Sequence, residues 1–392
     1  MIKTISLGDA LALVIDYRGK TPLKLGATWS TSGYRALSAK NLEGGALKNL
    51  NSVRHVDEDL YRRWMKVEIE KGDVLLTSEG PMGEAFFWDS DEKIVLSQRL
   101  FALRANTKII TPEFLYAYVS SSNFRNELEA RATGSTVRGI RQSELLKTTI
   151  YLPDLEAQHF IGQTIYAINS KIALNRRIND VLETISQALF EQCFTHSSAS
   201  KNWPIVTLSD ITATINRGIS PKYSEQGDSL VVNQRCIRSK RLSLTNARRQ
   251  SKSVPEEKVL RYGDVLINST GVGTLGRVAQ VSEVIDRVTA DSHVTIVRPK
   301  SDINVHYFGI AMLQNETLFE SLGKGTTGQT ELSRMSVAGI KLVLPTQEVR
   351  NTFGSCIEPM RFAITSYTNE VASLMQLRDS LLSHLISCKI KI

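Results

Sequence analysis

The four cysteines of this 392-residue chain, Cys193, Cys236, Cys356 and Cys388, include no Cys-x-x-Cys pair. Without ligands at metal-binding spacing no zinc site is expected, and scattered single cysteines suit a reduced protein of the cytosol. Long apolar runs are missing too. The N-terminal MIKTISLGDALALVIDYRGK is too short an apolar stretch, and too interrupted by charge, for a signal peptide, and no run approaches the roughly 20 residues of a membrane span. A cytoplasmic protein with no membrane partner is expected. Catalytic signatures are equally scarce. Gly19-Lys20-Thr21 has Val14 where a phosphate loop needs its leading glycine, and no Gly-x-Ser-x-Gly elbow occurs. His293 has Asp291 and Ser292 as sequence neighbours, which cannot face it as a triad from one strand, so it is read as structural or base-contacting. The motifs leave the chain without a catalytic centre, a metal or a cofactor of its own.

Positive charge and repetition are what the sequence does have. Lys and Arg number 48 against 40 Asp and Glu, a net charge of +8, with a pI near 9.2. That balance favours an anionic partner, nucleic acid before membrane. The length allows two or three domains at roughly 150 residues each.

The repetition is clearest in two long helical phrases, one from Leu152 to Phe194 and one from Leu344 to Ser387. In the first, Ile161, Ile165, Ile168 and Ile172 fall at heptad spacing, and Leu182, Ile185 and Leu189 resume it. In the second, Phe353, Ile357, Met360, Ile364, Tyr367, Val371, Leu374, Leu381 and Leu385 keep the same phase. Residues 161 and 353, 165 and 357, 168 and 360, 172 and 364, and 189 and 381 all stand 192 apart. Pro153, with Asp154 and Glu156, is expected in the first turn of the first helix.

The blocks preceding the helices repeat as well. KGDVLLTSEG from Lys71 matches YGDVLINSTG from Tyr262, and LSQRLFALRA from Leu96 matches DSHVTIVRPK from Asp291, as strands of a half-buried sheet. Each block then has a short helical segment and a Gly-Thr/Ser-rich loop, around Ala132 and around Gly323. A period near 190 residues implies tandem duplication of a domain with its helix. The expected segments are 1–151, 152–196, 197–343 and 344–392. Gly271, Gly273 and Gly276 spell G-x-G-x-x-G, but the following RVAQV suits a strand and not the helix that a dinucleotide site requires, so a glycine turn between strands is expected.

Binding residues are sought in polar, glycine-flexed loops, where backbone N–H groups approach phosphates and Arg, Asn and Gln read base edges. Block one offers Arg18, Lys20, Arg35, Lys40 and Asn41, then Ser135, Thr136, Arg138 and Arg141. Block two offers Arg217, Lys222, Tyr223, Asn233, Gln234 and Arg235, then Thr270, Arg277, His293, Lys324, Thr326, Thr327 and Gln329.

The duplicated block, the long helix after each block, YGDVLINSTGVGTLGRVA, DSHVTIVRPK, GTTGQTELS and the final LRDSLLSHLI together resemble the specificity subunit of type I restriction-modification systems, over essentially the whole chain. Leu344-Pro345 is followed by TQEV where the family often has Glu-Gln, and block one carries the weaker TSEGPMGEA. The resemblance implies an α/β (α+β) chain. Two similar target-recognition domains are separated by two long antiparallel α-helices, a coiled-coil-like spacer with an internal pseudo-two-fold repeat. It implies that each domain reads half of a bipartite site on double-stranded DNA. It also implies that the helices dock two methyltransferase subunits, that restriction subunits join them, and that S-adenosylmethionine, ATP and Mg belong to those partners.

Helix pairing is assigned to Ile161, Ile165, Ile168, Ile172, Leu182 and Leu189 against Phe353, Ile357, Met360, Ile364, Tyr367, Val371, Leu374 and Leu381, with Ile168 and Ile172 near Tyr367 and Val371. Asn175 and Asn179, in the places of Tyr367 and Val371, either fix the helix register or face solvent or a partner subunit. Two rival readings are a methyltransferase or nuclease-associated protein with its own catalysis, and a coiled-coil scaffold that binds only protein.

Overall fold

The computed structural model describes residues 3–134, 137–197, 201–325 and 330–386. It divides into two compact units, one holding residues up to Arg176 and those from Glu370 onward, the other Arg177–Asn369. The division cuts through both long helices, so each unit owns a block and a piece of each helix.

In the first unit, Lys3–Ser6 pairs antiparallel with Thr149–Leu152, which brings the start and end of the block together where the helix departs. A four-stranded antiparallel sheet follows the order Leu11–Asp16, Leu100–Ala105, Val74–Thr77, Ala85–Phe87. Beside it in sequence, Tyr34–Leu37 pairs antiparallel with His55–Val56 and parallel with Val95–Leu96. Val74–Thr77 is buried at all four positions because both faces of the sheet are covered. Alternate residues serve two cores: Val74, Leu76, Phe101 and Leu103 face one, and Leu75, Leu100 and Ala102 the other. The first of these cores also takes in Ile161, Ile165 and Leu382 from the long helices.

The second unit repeats this topology strand for strand. Ile205–Thr207 pairs with Lys341–Val343, and the four-stranded sheet runs Thr212–Arg217, Val294–Pro299, Val265–Asn268, Val278–Gln280. Ser229–Val232 pairs antiparallel with Arg248–Gln250 and parallel with Val288–Ala290. Its core closes on Phe194, Phe353 and Ile357 from the helices. The chain is of the α/β class, with the repeat written into its sheets. The three glycines at 271, 273 and 276 lie in the turn between the antiparallel strands Val265–Asn268 and Val278–Gln280, with φ of 102°, 69° and 80°.

The two long helices span Leu155–Phe190, continued by a π-helical turn Glu191–Thr195, and Gln347–Ile386. The Asp154 carboxylate accepts the Ala157 N–H at 2.9 Å, so Asp154 caps the helix and Pro153 lies outside it, not in its first turn. In the first unit Arg378 Nη1 donates to Asn169 Oδ1 at 3.3 Å and Asn175 Nδ2 to Glu370 Oε2 at 2.8 Å. In the second, Asn179 Nδ2 donates to Thr368 Oγ1 at 3.1 Å, and Ser186 Oγ lies 3.7 Å from Met360 Sδ. Numbers rise on one helix as they fall on the other, so the segments run antiparallel within each unit.

That register corrects part of the expected seam. Ile161, Ile165 and Ile172 are buried, but the next seam positions are Asn169 and Ser186, while Ile168 is half-buried and Ile185 exposed. Asn169 meets Arg378 within the first unit, and Asn179 meets Thr368 within the second. Phe353, Ile357 and Ile364 are buried, whereas Leu182, Leu189, Met360, Tyr367, Val371, Leu374 and Leu381 are half-buried at the flanks. The side chain of Leu385 lies outside the described residues.

Asn175 and Asn179 are 0% and 1% exposed, which removes the solvent-facing alternative. Each uses its amide N–H, and among the described residues neither Oδ1 atom has a hydrogen-bond partner. A buried carbonyl left unpaired costs about 1–3 kcal/mol. Thr368 keeps a second bond, to Ile364 O at 2.7 Å, when Asn179 is removed. Asn179→Leu is therefore expected to raise the stability of the second unit by about 1 kcal/mol. Urea unfolding followed by hydrogen exchange checks this, and a less stable variant would contradict it.

Candidate nucleic-acid interface

Two polar surfaces recur in each unit. The first gathers where the strand before the glycine turn ends. In the second unit Thr270 follows strand Val265–Asn268, and His293 precedes Val294–Pro299. Thr270 Oγ1 and His293 Nδ1 lie 2.9 Å apart, and Gln234 Nε2 donates to Thr270 O at 2.6 Å. Glu331 bridges through its backbone to both Thr270 and Lys324, anchoring the Gly-Thr loop here. Arg217 donates to Glu331 Oε1 at 2.6 Å and to Leu332 O at 2.8 Å. Burial pushes its guanidinium below the usual arginine range, with Glu331 opposing the shift.

The first unit builds the same frame with other chemistry. Glu79 and Thr133 both bridge to Gly139, so the loop is anchored as in the second unit. Arg99 forms an ion pair with Glu79 at 3.0 Å where the second unit has His293 and Thr270. Arg18 is held by Asp16 and donates to Ile140 O at 3.3 Å, as Arg217 does to Leu332 O. A cleft of about 640 Å³ opens between Arg18, Glu79, Arg99, Thr133 and Arg141.

The second surface lies beside the three-stranded sheet. In the first unit a cleft of about 370 Å³ is lined by Lys20, Trp29, Lys40, Asn41 and Arg54. In the second, a cleft of about 510 Å³ is lined by Tyr223, Asn233, Gln234, Arg235 and Arg248. Each is floored by a guanidinium over a ring, Arg54 at 5.2 Å from the Trp29 centroid and Arg248 at 3.9 Å from Tyr223. Trp29 and Tyr223 stand 194 residues apart, and so do Arg54 and Arg248.

The structure thus gathers most sequence candidates on these surfaces, though several are occupied with the fold. Asn41, 6% exposed, accepts from the Ser38 N–H and donates to Lys48 O, so it caps a turn and offers no free edge. Asn233 caps the matching turn, accepting from Arg235 N at 2.8 Å and donating to Asn246 O at 2.8 Å. Arg35 is held by Glu92 on both nitrogens of its fork, in a different pocket beside Phe86 and Tyr166. Lys20 donates to Trp64 O at 2.7 Å, and burial, aided by Lys66, lowers its pKa. Arg138 is paired with Glu129, and Arg277 donates to Gly273 O. Lys40, Arg141, Lys222, Arg235 and Lys324 are exposed. Ser135, Thr136, Thr326, Thr327 and Gln329 lie outside the described residues. Arg54 and Arg248 were not among the sequence candidates, although their equal spacing in the repeat was a usable signal.

Among the described residues no group of three or more His, Cys, Asp or Glu could hold a metal, and no helix is long and apolar enough to cross a membrane. What the surfaces offer chemically is cation, amide and hydroxyl donors around shallow clefts, as phosphate and base-edge recognition requires.

Residues 3–184 match the model of the type I restriction modification DNA specificity domain. The chain is 32% identical over 133 residues to the HindI specificity subunit of Haemophilus influenzae, covering 33% of this chain and 29% of that relative. It is 23% identical over 364 residues to the MjaIX specificity subunit of Methanocaldococcus jannaschii, covering 86% of this chain and 82% of the relative. The crystal structure of a type I restriction-modification S subunit from M. genitalium superposes with a TM-score of 0.63 at 17% identity, covering 98% of this chain and 96% of that one, and so shares the fold. The family model ends inside the first long helix, and the second unit repeats strand for strand the sheets it covers. The first block and its helix are thus similar to the type I restriction modification DNA specificity domain, and over 98% of its length the chain shares the fold of a solved type I S subunit.

Proposed function

We propose that this chain is the DNA-reading subunit of a type I restriction-modification complex, with each unit recognising one half of a bipartite site. The observation that carries this reading is one frame built twice with different chemistry at its tips: Arg99 with Glu79 in one unit, His293 with Thr270 in the other. Equal frames imply equal docking on the duplex, and unequal tips imply unequal half-sites. The net charge of +8 supplies the sequence-independent attraction to phosphates.

In this reading the paired helices set the unread gap and dock two methyltransferase subunits, and restriction subunits complete the assembly. S-adenosylmethionine, ATP and Mg are bound by those partners. The chain supplies the address, and the partners flip and methylate an adenine.

Selection from a randomised duplex library by the full chain tests the reading. Enrichment of two short, different sequences at a fixed gap is expected, with binding that weakens steeply as salt rises. A protein-only scaffold enriches nothing. A chain with its own catalysis transfers methyl groups from S-adenosylmethionine without partners, and that result overturns the assignment.

A further inference from the structure

We infer that Arg54 in the first unit and Arg248 in the second are corresponding base-reading residues, each selecting a guanine in its own half of the DNA site. The inference rests on the DNA-reading function proposed above and adds the residue and the base.

Both arginines sit where a strand of the three-stranded sheet meets a cleft, Arg248 opening the strand Arg248–Gln250 and Arg54 immediately preceding His55–Val56. Both are exposed, and among the described residues neither pairs with a carboxylate, unlike Arg18, Arg35, Arg99, Arg138 and Arg217. Exposure without a partner describes many surface arginines. These two differ because each lies over an aromatic ring, Trp29 or Tyr223, brought from about two dozen residues upstream.

Stacking engages the face of the guanidinium and leaves its in-plane N–H donors free. An exposed guanidinium placed over a ring, with no carboxylate partner among the described residues, is available to the paired acceptors O6 and N7 of guanine, the commonest specific arginine contact in the major groove. The same device appears in both copies with a different ring, Trp in one and Tyr in the other, so the pairing of ring and cation is retained while the ring itself is not. The closer stack, 3.9 Å in the second unit against 5.2 Å in the first, assigns the sharper selectivity to Arg248.

Library selection at fixed salt with the full-length chain tests this, using randomised duplex DNA as the probe. With Arg248→Lys, preference for one G·C pair in one half of the motif is expected to fall about 5- to 150-fold, with the other half intact and the salt slope nearly unchanged. Arg54→Lys is expected to do the same in the opposite half. Tyr223→Leu should relax the position that Arg248→Lys relaxes, and Tyr223→Phe should restore it, since a phenyl ring still supports the guanidinium. Matching melting curves identify variants that remain folded. The inference fails if both lysine variants keep the wild-type motif, or weaken all sequences equally as phosphate contacts do. A wild-type chain that enriches no sequence defeats the DNA-reading function itself, and this inference with it.

Discussion

Asp264→Ala is expected to lower the stability of the second unit by about 3 kcal/mol, the low end of what removing one partner from a buried ion pair costs. The Asp264 carboxylate is 1% exposed and accepts from Arg298 Nε at 2.8 Å, Arg298 Nη2 at 2.7 Å and the Arg261 N–H at 2.8 Å. It thus closes the turn before strand Val265–Asn268 and fixes the neighbouring strand that carries Arg298. Without it the guanidinium, only 12% exposed, keeps its bonds to the carbonyls of Glu257 and Val259 but loses its counter-charge. The first unit repeats the arrangement, with Arg104 Nε and Nη2 each donating to Asp73 at 2.8 Å, so Asp73→Ala should destabilise that unit in the same way. Replacing the pair together, as Asp264→Leu with Arg298→Met, should cost less than the single alanine because no buried charge is stranded. Hydrogen exchange along Val265–Asn268 reads the effect. Asp264→Ala within about 1 kcal/mol of wild type would show that the pair is not holding the sheet.

Gly162→Ala should destabilise the first unit by about 2 kcal/mol, although alanine is the better helix former by about 1 kcal/mol. A Cβ at Gly162 would stand 2.6 Å from the Phe114 backbone N and 2.8 Å from the Glu113 carbonyl carbon. Both neighbouring atoms belong to the backbone at the start of helix Pro112–Val119, so neither can swing aside. Gly354 occupies the same place 192 residues later, and its Cβ would meet the Asn304 side chain at 2.2 Å. That amide caps helix Val305–Gln314 and can rotate away at the loss of its bonds to the His306 and Tyr307 N–H groups, about 1 kcal/mol. The gain in helix propensity nearly offsets this, so Gly354→Ala should be close to neutral. Thermal unfolding of the two variants side by side checks the asymmetry. A Gly162→Ala protein as stable as wild type would mean that block and helix are less closely packed than described.

The duplication was legible from residue spacing alone, because the sheet strands and helix phases repeat with near-constant offsets. Strands such as Val74–Thr77 declare themselves as continuous apolar runs, and the Gly-Asp phrase before them marks a turn whose reason becomes visible only in the Arg104 and Arg298 ion pairs. The helix register was not legible. Its seam carries Asn169, Asn175, Asn179, Ser186 and Arg361, and a search for apolar periodicity passes over such residues to neighbours like Ile168 and Ile185. The candidate surfaces were half legible. Loops rich in Gly, Thr and Arg led to the polar clefts described above, yet sequence could not separate Arg217, tied to Glu331, from Arg248, over Tyr223 with no carboxylate partner among the described residues. That difference depends on which side chains the strands bring together across dozens of residues.

Mapping methylated adenines in DNA from cells expressing the chain with its methyltransferase subunits tests the two-reader account most directly. The expected map is one bipartite motif, two unequal specific parts around a gap of fixed length, and Arg54→Lys and Arg248→Lys should each relax a different part. A single undivided motif, or methylation independent of which chain is supplied, would contradict it.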